Sequence, residues 1–218
     1  VCKLRNVIEI SEGSMSARVI MVASGKGGTG KSTVSVLTGA ALAARGRRVL
    51  LVELDSALRS VDYIAGVYGK TVYDVEDVLC GRCDAGKALV ESPLYPGLFV
   101  ISAPYSGGQV AAGALQSFLQ QAGGVFDDIV LDTAAGMGAP FEAARAAASL
   151  ALICITPDPV AQRDGRIVCD ALLEGGCEQV RLVINKVPRT LAGQGIRDLD
   201  ECIDTVGAQL LGVVPYSE

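Results

Sequence analysis

Apolar residues in this chain gather into short unbroken runs, separated by longer stretches in which they recur every three or four positions. The runs are Arg18–Ala23, Arg48–Glu53, Leu98–Ser102, Phe126–Asp132, Leu150–Ile155, Val180–Lys186 and Gln209–Val214. A continuous apolar run of this length predicts a strand covered on both faces, since a half-exposed strand would alternate with polar residues. Between the runs, Val34, Leu37, Ala41 and Ala44 recur at helical spacing and predict a helix over 31–44 that stops near Gly46. Further helices are expected over 71–79, starting at Thr71 or Asp74, from Gly107-Gly108 through Gln121, in an alanine-rich stretch after Pro140, and in a helix that begins with the Thr156–Asp164 segment. Six or seven strands alternating with helices predict a three-layer, doubly wound α/β domain with a mainly parallel sheet, whose site lies at the carboxyl ends of the strands.

The first run leads directly into Ser24-Gly-Lys-Gly-Gly-Thr-Gly-Lys-Ser-Thr33. Gly25, Gly30, Lys31 and Ser32 fit the spacing G-x-x-x-x-G-K-[ST] at the strand-to-helix position that a P-loop NTPase requires. Gly25, Gly27, Gly28 and Gly30 let backbone N–H groups, including those of Thr29 and Thr33, turn toward phosphate oxygens. Lys31 supplies a point charge to the β- and γ-phosphates, Ser32 a hydroxyl ligand for Mg2+, and the helix that opens there its positive dipole end. The run ending at Asp132 is the acidic strand end that holds Mg2+ in such sites, with 133–136 as the switch that follows. Asp127 and Asp128, at the other end of that strand, are expected to be solvated. Asn185 closes another strand, and an amide there can both donate to and accept from an adenine edge.

Composition narrows the chemistry. With no histidine in 218 residues, Ser-His-Asp nucleophiles and histidine-bound metals are excluded. A net charge of −5 argues against DNA as a partner, and Arg45, Arg47 and Arg48 read more simply as cations complementing a helix C-terminus. Seven cysteines without a small-scaffold framework favour a reducing, cytoplasmic compartment, with Cys154 as a core residue. Cys80-x-x-Cys83 is half of a tetrahedral metal site, which a second copy of the chain would have to complete. No run of eighteen apolar residues predicts a membrane span. Residues 1–14 read as a leader before a natural start at Met15, with a single domain over 15–218.

The second lysine of the loop is not needed for the general motif. Lys26-Gly-Gly-Thr-Gly-Lys-Ser-Thr33 resembles the two-lysine loop of the MinD/ParA family of ATPases, and the segments Glu53-Leu-Asp55, Leu58-Arg59-x-x-Asp62 and Thr71–Leu79 resemble its MinD branch. The resemblance covers roughly 17–216. It implies a dimeric ATP- and Mg2+-dependent switch in the spatial regulation of cell division. In it Lys26 would reach across a homodimer, Lys31 and the loop amides would hold ATP, and Asp55 would orient the attacking water. Asn185 and the backbone at Pro215 would form the adenine pocket, and Arg163 and Asp164 would lie near the dimer face. Glu53 stands where that family more usually has aspartate. Protein regulators of division are the implied partners, with peripheral membrane contact, although no basic amphipathic helix of the MinD kind is among these residues. The alternatives are a ParA-like DNA partition ATPase and a metal-cluster or metallochaperone ATPase using Cys80 and Cys83.

Overall fold

Alternate residues of each central strand enter two different cores. Met21 and Ala23 face one side with Leu50, Val52, Ile129, Leu131, Ala151 and Ile153, while Ile20 and Val22 face the other with Val49, Leu51, Val130, Leu152 and Cys154. Both sets are buried, which is why these strands read as unbroken apolar runs rather than alternating ones. The computed structural model describes residues 17–56, 59–105, 111–191 and 193–217. The expected leader, the start at Met15 and Gly107-Gly108 lie outside them, as does Leu58.

In chain order the elements are β1 (Arg18–Ala23), α1 (Lys31–Ala43), β2 (Val49–Glu53), α2 (Ser60–Ile64), α3 (Val75–Leu79), α4 (Ala85–Ala88), β3 (Val90–Glu91) and β4 (Leu98–Ile101). They continue with α5 (Ala112–Ala122), β5 (Asp128–Asp132), α6 (Ala139–Arg145), β6 (Leu150–Ile155), α7 (Pro159–Glu174), β7 (Val180–Val187), α8 (Leu199–Val206) and β8 (Gln209–Pro215). The strands form one sheet in the order β3-β4-β2-β5-β1-β6-β7-β8, parallel except for the β3–β4 pair. Helices α1 and α2 cover one face, and α3 to α8 cover the other. The three-layer expectation holds, with eight strands among the described residues rather than six or seven.

Local chemistry sets the boundaries. The helix expected from Thr71 starts at Val75, because Asp74 is its N-cap and forms a reciprocal capping box with Asp77. Asp158 caps α7 through the Ala161 amide, with Pro159 at its first position. Asp128 corrects the expectation of a solvated carboxylate. It is fully buried and held between the guanidinium groups of Arg18 and Arg47, whereas its neighbour Asp127 is exposed and accepts from the Arg48 amide. Arg47 therefore ties the β2 approach to β5 rather than serving only as a cation at the end of α1.

Candidate functional site

The turn after β1 runs at the carboxyl end of the most central part of the sheet. Gly27 to Thr33 line a cavity of about 520 Å³ together with Asp55, Ser60, Ile64, Ala134 and Ala135. This brings together three segments that are far apart in sequence: the glycine loop, the stretch after β2 and the stretch after β5. The loop enters α1 through Gly30, whose φ of 87° is left-handed and whose missing Cβ leaves room for the Asn185 amide. The free N–H groups of the first turn of α1 lie at the cavity, a ready anion site. Lys31 is 7% exposed and Ser32 and Thr33 line the wall beside it.

Asp132 is the most tightly held of the expected groups. Ser32 Oγ donates to one carboxylate oxygen at 2.7 Å and Ser35 Oγ to the other at 2.7 Å. Ser35 was not singled out from the sequence, yet it lies three residues after Ser32, which places both hydroxyls on one face of α1. Burial raises the Asp132 carboxyl above its usual range, against the pull of Lys31, Ser35 and Ser32; the Asp55 charge adds to the rise. An oxygen-only pair, carboxylate and hydroxyl, beside an anion-binding turn fits Mg2+, a hard cation that takes one or two protein oxygens and keeps waters.

Glu53 sits next to Asp132 in the β2–β5 register. It does not open into the cavity but is fully buried. Its Oε1 accepts from the Val61 amide at 3.1 Å and its Oε2 from the Ala103 amide at 3.4 Å. Burial drives its pKa up to about 8, opposed by the Val61 N–H and reinforced by Asp132. The longer side chain thus fastens α2 and the exit of β4 to the end of β2. Asp62 does related work: Ser102 Oγ donates to its Oδ1 at 2.5 Å and Arg59 Nη2 to its Oδ2 at 2.8 Å.

On the other flank of β1, the loop carbonyls are held from behind. Asn185 Nδ2 donates to Thr29 O at 2.8 Å, the Cys154 thiol approaches the same oxygen at 3.5 Å, and Lys186 Nζ donates to Gly28 O at 2.7 Å. Asn185 is thus at the loop, but buried and bonded to the chain, with its Oδ1 accepting from Lys186 N–H at 2.8 Å. Pro215 pairs with Val187 at the end of β7. Cys154 is the core residue its apolar run predicted, with burial pushing its thiol up to about 11.

Lys26 lies on the loop near α7, where its Nζ is 3.5 Å from Asp158 Oδ1. Asp164 backs the loop: a Cβ on Gly25 would stand 2.6 Å from its carbonyl oxygen. Arg163 is exposed and pairs with Asp164 at 2.8 Å. Cys80 is exposed, Cys83 is half-buried, and both are free thiols at the end of α3. Among the described residues no cluster of three His, Cys, Asp or Glu could hold a metal ion, and no helix is long and apolar enough to cross a membrane.

Residues 20–218 match the family model described as the CobQ/CobB/MinD/ParA nucleotide binding domain. A septum site-determining protein MinD from Synechocystis sp. is 34% identical over 201 residues, which cover 91% of this chain and 76% of the relative. Among solved structures, the MinC:MinD cell division protein complex of Aquifex aeolicus superposes with a TM-score of 0.83 at 30% identity, over 92% of this chain and 82% of that one. The septum site-determining MinD of Pyrococcus horikoshii complexed with Mg-ADP has a TM-score of 0.80 at 23% identity, over 92% and 82% of the two chains, a likeness of fold.

Proposed function

This chain belongs to the CobQ/CobB/MinD/ParA nucleotide-binding family, and from that premise we propose that it is a MinD-like, ATP-hydrolysing dimeric switch in the spatial regulation of cell division. The observation that carries the chemistry is the convergence of the Gly27–Thr33 loop, Asp55 and Ala134-Ala135 on one cavity, with Asp132 held by Ser32 and Ser35 beside it.

In this reading Gly25, Gly27, Gly28, Thr29 and Gly30 shape a ring of amides around the phosphates of ATP, and Lys31 neutralises the β- and γ-phosphate charge. Ser32 and Asp132 would hold Mg2+, which, when bound, neutralises charge on the phosphate oxygens. Asp55 lines the same cavity as the loop, where its carboxylate would hold and orient the attacking water. Little covalent work is then left to the protein beyond position and charge. Lys26, 43% exposed, would leave Asp158 and reach a partner copy's phosphates, which makes hydrolysis depend on dimerisation. Asn185 would hold the loop and offer its remaining capacity to adenine, with the backbone at Pro215 as a neighbouring wall. Protein regulators of division would read the ATP-bound dimer, and membrane contact would be peripheral.

Size-exclusion chromatography with light scattering in ATP, ADP or no nucleotide, alongside phosphate release with and without Mg2+, tests this. A dimer that forms with ATP alone, and Mg2+-dependent turnover, are the expected results. A chain that binds ATP but stays monomeric would overturn the switch, and one that binds no nucleotide would overturn the whole reading.

A further inference from the structure

Lys186 lies outside the set of residues to which the sequence pointed. It is one of two described non-glycine residues with positive φ, at 55°, a conformation that long side chains rarely adopt and that persists only where the surroundings fix it. Two contacts fix it here. Its own N–H is held by Asn185 Oδ1 at 2.8 Å, and the next residue is pinned to β8 by the Tyr216 amide donating to Val187 O at 2.8 Å. The β7–β8 register shifts between those two points. The left-handed turn sends the side chain back over the glycine loop, with Cε 3.8 Å from where a Gly30 Cβ would stand and Nζ 2.7 Å from Gly28 O.

A trans peptide points its C=O and N–H in opposite directions. Holding the Gly28 carbonyl on the Lys186 side therefore turns the Thr29 N–H the other way, and holding the Thr29 carbonyl on Asn185 does the same for the Gly30 N–H. The cavity is lined by these same residues. Resting on the nucleotide reading above, we propose that Lys186 is a positioning residue for that site. Its ammonium fixes the plane of the Gly28–Thr29 peptide, so that the Thr29 amide faces the anion before nucleotide arrives, and the strained backbone at 186 is what places the ammonium there. A donor aligned in advance costs nothing to align on binding. The group acts on the loop that holds ATP and ADP alike, so it contributes to both affinities equally.

The test is equilibrium titration of ADP and a non-hydrolysable ATP analogue into the wild-type chain and the Lys186→Ala, Lys186→Gly and Lys186→Arg variants, with thermal melts and steady-state kinetics. Lys186→Ala and Lys186→Gly should each weaken both nucleotides by the same factor, roughly 3- to 10-fold, the size of one exposed charge-assisted hydrogen bond. KM should rise with little change in kcat, and Lys186→Arg should restore most of the affinity. Lys186→Gly should melt no lower than Lys186→Ala, since glycine takes positive φ freely. Wild-type affinity in Lys186→Ala overturns the inference, as does equal loss in Lys186→Arg with a fall in melting temperature. A wild-type chain that binds neither nucleotide would instead overturn the functional reading on which the inference rests.

Discussion

Lys26 and Asp158 form an ion pair of 3.5 Å within one chain, joining the glycine loop to the first turn of α7. Asp158 also caps α7 through Ala161 N–H at 3.0 Å and accepts from the Thr156 hydroxyl at 2.6 Å. Burial pulls its carboxyl upward, but Thr156, the Ala161 amide and Lys26 together hold it below the usual range. The lysine proposed to act on a partner copy is thus parked at home by a partly exposed pair, a contact of about 0–1 kcal/mol that a phosphate can outbid.

Asp158→Asn keeps an oxygen for the cap while removing the charge that holds Lys26. It should dimerise at lower ATP concentration than wild type in sedimentation velocity. Lys26→Ala should lose both ATP-dependent dimerisation and turnover. If Lys26→Ala keeps both at wild-type levels, the lysine does not act in trans.

Asp55→Ala should bind ATP with near wild-type affinity and hydrolyse it about 10²-fold more slowly, the scale of one positioned acid-base group. Single-turnover phosphate release beside calorimetric binding separates the two effects. Loss of binding would assign Asp55 to the structure of the loop after β2 instead.

Gly25 and Gly27 are glycines for different reasons. A Cβ on Gly25 would lie 2.6 Å from the Asp164 backbone oxygen, whereas one on Gly27 meets nothing within 4 Å. Neither residue has positive φ, so neither substitution strains the backbone. Gly25→Ala should therefore cost on the order of 1–3 kcal/mol in denaturant unfolding, because α7 must give way, and Gly27→Ala close to nothing. Equal midpoints for the two would refute the packing account.

Glu53 predicts a pH dependence of stability. Its carboxyl rises from an ordinary 4.5 to about 8 in the folded chain, so between those values the folded state holds a proton that the unfolded state has lost. The stabilisation is complete below the unfolded value and disappears as pH rises through the folded one, on the order of a few kcal/mol in all. Unfolding free energies of wild type should fall more steeply than those of Glu53→Gln over this window. Parallel curves would mean that Glu53 is ionised in the fold.

How much of this was legible in the sequence follows from the range of the interactions. The buried strands announce themselves because both faces are apolar, and the loop because its spacing is local. Helix α2, with five residues, and β3, with two, are too short to show a period. Asp128 looked solvated because its cations, Arg18 and Arg47, come from 110 and 81 residues away. Ser35 could have been found from its helical offset to Ser32. Lys186 could not, since its role depends on a backbone angle set by Asn185 and β8. The same long-range pairing gives Asn185 a task, holding Thr29, that its place at a strand end did not reveal.

The strand order separates the groups around the loop into two kinds. On the β5–β2 side of β1 stand Asp132, Asp55 and the 133–136 segment, whose Gly136 amide reaches Ser24 O at 3.0 Å; on the β6–β7 side stand Cys154, Asn185 and Lys186, all turned to the back of the loop. One half of the sheet then serves as an anvil and the other as the part that is struck. Replacing ADP by ATP should slow amide hydrogen exchange in 59–66 and 133–138 and leave 180–187 unchanged, so that news of the third phosphate leaves the molecule by its β3 edge; protection that spreads equally to both edges would show that the sheet carries no such direction.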